Sequence, residues 1–147
     1  MCTENREKGA SAVEFALILP VLMVILFGII EFGFILYDKA IVTNASREGA
    51  RRGIVYSKDI NGVTIGVPAS DITDTTTSYC ASYLVSLGTG SAAPSTTVTG
   101  NCAVPGSSLT VTVTYPYSFL VLPNFVSGLT GGISLNGATV MRCENQN

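Results

Sequence analysis

The chain predicts an α+β fold: a long N-terminal membrane helix followed by a small antiparallel sheet with a second helix. Three observations carry that prediction. They are an uncharged apolar run from Phe15 to Ile30, a strict alternation from Leu109 to Tyr117, and an apolar stripe through Tyr79, Tyr83, Leu84 and Leu87. The chain divides accordingly into a leader at 1–9, a long helix at 10–56 with a transmembrane part at about 15–37, and an exported α+β domain at 57–147.

Met1 to Gly9 is polar and mixed in charge, with Glu4, Arg6, Glu7 and Lys8, and has no apolar period. A secretory signal peptide has an apolar core of about 7–15 residues ending in a small-residue box, whereas this run is longer and continues into helical sequence. Phe15 to Ile30 spans roughly 24 Å at the helical rise, and the flanks Ala10–Val13 and Phe32–Tyr37 carry it past the roughly 30 Å of a bilayer core. Pro20 removes a backbone donor, so a kink or an opened turn is expected there. Lys39, Arg47, Arg51 and Arg52 follow the span while Arg6 and Lys8 precede it, against the positive-inside tendency. The Thr-, Ser- and Gly-rich region downstream nevertheless has the composition of an exported domain, which puts the N-terminus in the cytoplasm.

Glu14 is the acid within the apolar helix. Such a side chain costs roughly 2.5–3.5 kcal/mol at a bilayer centre and calls for a partner. A cut after Gly9 frees the amine of Ala10, four residues before Glu14, to pair with Glu14 of a neighbouring helix. Glycine lets the backbone fit a narrow peptidase cleft, and Ala10, Ser11 and Ala12 add no bulk. Glu31, where the apolar run thins, is expected at the headgroup level.

Past Tyr37 the helical pattern continues to about Val55, with Glu48 four residues before Arg52. Ala45, Gly49 and Gly53 form a small-residue series that allows close helix packing, against this chain's own sheet or another subunit. Asn61-Gly62 suggests a small hairpin. Asp59, Asn61, Asp71 and Asp74 lack calcium-loop spacing. Ser70 or Asp71 is expected to cap the second helix, which runs to about Leu87 and ends at Gly88. Gly88 to Gly106 reads as a long connection. Leu109 to Tyr117 is a strand that Pro116 ends or moves to a sheet edge. Ile133 to Cys143 is a second strand whose inward phase shifts to Ala138 and Val140 around a bulge at Gly137. Phe119 to Val126 is too apolar for a solvated loop and is expected to be buried.

With 147 residues, 47% of them hydrophobic, the chain has room for one span and one modest domain. A net charge of -2 offers no basic face for nucleic acid. The absence of histidine removes the Ser-His-Asp and Cys-His catalytic arrangements, so no enzyme, cofactor or metal site is expected. Among Cys2, Cys80, Cys102 and Cys143, loss of the leader leaves three. Cys80 and Cys102 are the preferred pair, closing a loop worth roughly 3 kcal/mol. Cys143 could instead pair with either, bridge to another chain or stay reduced.

Gly9-Ala-Ser-Ala-Val-Glu14-Phe15, Gly28-Ile-Ile-Glu31-Phe-Gly33, Tyr37-Asp-Lys-Ala40 and Asn44-Ala-Ser-Arg-Glu-Gly-Ala-Arg51 resemble the TadE-like proteins of tight-adherence (Flp-type) pilus systems. The resemblance covers about residues 9–55 and extends less distinctively to the strands. It implies a pilin-like minor pilin or pseudopilin, cut between Gly9 and Ala10 by a prepilin peptidase, with Glu14 and Phe15 at the family's assembly positions. The implied partners are other pilin or pseudopilin subunits, that peptidase, the inner-membrane assembly platform and membrane lipid. The implied place is the bacterial inner membrane, with the C-terminal domain extracytoplasmic. The competing reading is a membrane-anchored extracytoplasmic binding module that never enters a filament.

Overall fold

The computed structural model describes residues 4–55, 57–58, 60–61, 63–85, 93–104, 106–119 and 133–144. Helix α1 spans Glu4–Gly53, the hairpin strands β1 and β2 span Ser57–Lys58 and Thr64–Ile65, and helix α2 spans Ala69–Tyr83. Strands β3 (Ser95–Thr99), β4 (Ser108–Tyr117) and β5 (Ile133–Arg142) form an antiparallel sheet with β4 in the centre. This is an α+β fold, as the periodicities predict.

One helix serves two environments. From Gly9 to Ile30 its side chains are exposed almost throughout, Gly28 alone being half-buried, and from Glu31 a buried stripe begins. Glu31, Asp38, Ile41, Val42, Ala45, Ser46, Gly49, Ala50 and Gly53 recur at the spacing of one helix face, so this half of α1 is the spine of the head domain. The helix is uninterrupted through Pro20, and the opened turn expected there does not occur.

The core lies between α1, α2 and the inner face of the sheet. Leu109, Val111, Val113, Tyr115 and Tyr117 of β4 face it, alternating with half-buried threonines. Pro116 pairs with Ser134 of β5 but lies beyond the reach of β3, whose partners are Thr110 to Thr114, so its missing donor disrupts no ladder on that side. The small-residue series faces this chain's own elements. A Cβ on Gly49 would collide with Thr76 Cγ2, and one on Gly53 with Leu109 Cδ2.

Four expectations about the strands, the second helix and the disulfide of the head are corrected. Gly137 makes no bulge, because β4 and β5 pair without a break from Ser108↔Arg142 to Tyr117↔Ile133. It is glycine because α1 presses on it: a Cβ there would meet Val42 O at 2.7 Å and Thr43 Cα at 2.8 Å. The inward phase accordingly continues through Leu135, Gly137 and Thr139, and Val140 is exposed. The connection after Gly88 contains β3, whose Ser-Thr-Thr-Val-Thr sequence has one apolar residue and no visible core face. Its partners supply the order: it pairs along β4, and Thr96 shares a 2.7 Å hydrogen bond with Thr76 of α2. Helix α2 begins after Pro68, whose carbonyl accepts from the amides of Asp71 and Ile72, rather than at a Ser70 or Asp71 cap, and it ends at Tyr83.

The fourth correction is the disulfide. Cys102 is bonded to Cys143, and Cys80 is a free, buried thiol. The sheet explains the choice. The loop between β3 and β4 and the end of β5 meet at one edge, where the Cys143 amide donates to Ser107 O at 2.8 Å, while Cys80 faces the core from α2. Glu48 pairs with Arg51 at 3.8 Å rather than with Arg52, which reaches Asp71 of α2 at 4.0 Å. The apolar segment after Phe119 lies outside the described residues. Phe119 itself packs edge-on against the Tyr117 ring.

Candidate functional site

The candidate site is α1 in its two halves, the bare N-terminal half and the turns where the head is fastened to it. Gly9, Ala10, Glu14 and Phe15 all lie within the continuous helix and are exposed. Ala10 and Glu14 are one turn apart on the same side of it. Phe15 is 64% exposed, and Val13, Leu17 and Ile18 are exposed to a similar degree. A helix this apolar and this bare is long enough to cross a membrane. Among the described residues Glu14 touches no cation. The bond between Gly9 and Ala10 lies within the helix.

The fastening turns begin at Glu31, a residue the sequence reading places among headgroups. It is instead 1% exposed under the head, and the Tyr117 hydroxyl donates to its Oε1 at 2.6 Å. A phenol donating to a carboxylate is a charge-assisted bond, and here it joins α1 to the central strand. Burial, this hydrogen bond and the nearby charge of Glu31 hold the Tyr117 phenol well above its ordinary range. Two turns on, Asp38 is fully buried and accepts the Val85 amide at 3.1 Å, which ties down the chain leaving α2. The Lys39 ammonium donates to the Asn136 carbonyl of β5, and Ser46 shares a 2.7 Å hydrogen bond with Thr139. The head is therefore held by polar contacts from Glu31 to Ser46 and by close packing from Ala45 to Gly53.

The sequence did contain a signal for this arrangement. Glu31 and Asp38 lie seven residues apart, in phase with the stripe that continues through Ala45 and Gly49, so the buried face extends backward from the glycines into the supposed span. Between α1 and Val85 lies an open apolar groove of about 360 Å³, lined also by Ile30, Gly33, Phe34 and Tyr37. A second groove of about 520 Å³ runs past Glu48, Asp74, Tyr79 and Tyr83. Among the described residues no group of three His, Cys, Asp or Glu side chains could hold a metal ion.

Comparison with known proteins bears on the helix alone. The family model described as TadE-like protein matches residues 9–51, which takes in the bare half of α1 and most of the fastened half. No curated protein and no solved structure matches the chain. The match begins at the glycine before the expected cut and ends among the arginines that close α1. Residues 9–51 are thus similar to the TadE-like family, the one its N-terminal motif resembles.

Proposed function

We propose that this chain is a structural or assembly subunit, a minor pilin or pseudopilin, of a tight-adherence pilus. On this reading it is cut after Gly9 by a prepilin peptidase, is held in the bacterial inner membrane by the bare half of α1, and assembles through that half with its head extracytoplasmic. It acts without catalysis. Its partners are other pilin or pseudopilin subunits, the assembly platform and lipid.

One observation supports this reading above the others: the TadE-like segment contains a helix half that this chain leaves bare and that holds a single acid, Glu14. An acid so placed is costly to a mere anchor and useful to a helix that packs beside an ammonium. Intact mass of the protein from its native membrane should show loss of Met1 to Gly9, and Glu14→Leu should lower pilus output while the protein still accumulates. A mature chain that begins at Met1, together with undiminished piliation by Glu14→Leu, would leave a tethered module as the better description.

A further inference from the structure

The two acids beneath the head differ in how their oxygens are satisfied. Glu31 receives the Tyr117 hydroxyl. Asp38 is fully buried and accepts the Val85 amide through Oδ1, but among the described residues its Oδ2 has no hydrogen-bond partner. A buried carboxylate that loses the hydration of one oxygen and gains no cation is far less favourable than the neutral acid in the same place.

Among the described residues no cation acts on the Asp38 carboxyl. Glu31 lies two turns earlier on the same face of α1, and Tyr115 and Tyr117 come from β4, all of them neutral or anionic. The chain after α2 brings the Val85 amide, and Lys39, next along α1, directs its ammonium to Asn136 of β5. We propose that Asp38 is held as the neutral acid in the docked head, so that the head's grip on α1 weakens as the pH rises.

The sign follows from proton linkage. The unfolded chain releases the Asp38 proton near the ordinary aspartate value of about 3.9 while the docked head keeps it, so docking above that pH requires proton uptake. The stabilisation is complete in acid and is lost upward from about pH 4. Each pH unit in the window divides the ratio of docked to undocked head by up to about ten. The Val85 amide favours the ionised form, but burial of the carboxyl, the larger effect, opposes it. The device operates whether or not the chain enters a filament.

The test uses the full-length protein in detergent micelles, with thermal unfolding followed by tyrosine circular dichroism at about pH 5 and about pH 8. The wild-type midpoint should fall between the two, and Asp38→Asn should remove much of that fall and match or exceed the wild type at the higher pH. An Asn variant that keeps the full pH dependence, or that is the less stable protein at the higher pH, overturns the proposal. Should Asp38→Asn fail to fold, infrared spectra of the wild-type protein with 13C-labelled aspartate carboxyls decide. A protonated-carboxyl band near neutral pH upholds the proposal, and only ionised bands defeat it.

Discussion

Replacing Tyr117 with phenylalanine removes one hydroxyl and leaves the ring, with its edge-on contact to Phe119, in place. The lost bond is 2.6 Å long, is buried at both ends and has a carboxylate as acceptor. Bonds of that kind contribute about 1.5–3 kcal/mol, so about 2 kcal/mol is expected here. For a head of this size that lowers the unfolding midpoint by roughly 8–16 °C. Glu31→Leu should cost a similar amount, because it strands the Tyr117 hydroxyl without its acceptor. The double variant removes both partners, and apolar replacement of both ends is close to neutral. Its loss should therefore fall short of the sum of the single losses, about 4 kcal/mol, by at least about 2 kcal/mol. Thermal unfolding of the four proteins in the same detergent measures the cycle. If the two losses simply add, or if Tyr117→Phe is silent, Glu31 does not fasten the head, and its headgroup placement returns.

Two more substitutions probe the packing and the covalent frame. Gly137→Ala should destabilise the head by about 1–3 kcal/mol, because the new Cβ meets the α1 backbone rather than a flexible side chain. Gly33→Ala, with nothing within 4 Å, serves as its neutral control in the same unfolding assay. Cys143→Ser opens a loop of sequence separation 41 and should cost about 4 kcal/mol. Peptide mapping without reductant should find Cys102 joined to Cys143. Maleimide should leave Cys80 unmodified until the protein unfolds, since burial both shields the thiol and pushes its pKa up.

The elements whose order is local were legible in the sequence. The β4 alternation shows because each apolar residue faces the same core, and the long helix shows because nothing but an apolar run reads that way. What escaped depends on residues far apart in the chain. Gly137 looks like a bulge until α1 is laid across it, and β3 looks like a linker because β4 supplies its order. The cysteine pairing follows the sheet register rather than loop length. Glu31 was the larger omission, since its partner stands 86 residues away and only the spacing to Asp38 hinted that the stripe reached so far. Glu14, by contrast, is visible because an isolated acid in an apolar run stands out without any fold at all.

Because α1 is one unbroken rod from Glu4 to Gly53, its two halves share a single axis and phase. Each residue advances the rod by about 100° of azimuth, so a twist applied to the half outside the head turns the head as a drive shaft turns its load. The fastening at Glu31 and Asp38 is where that torque first passes from helix to head, ahead of the close packing from Ala45 to Gly53.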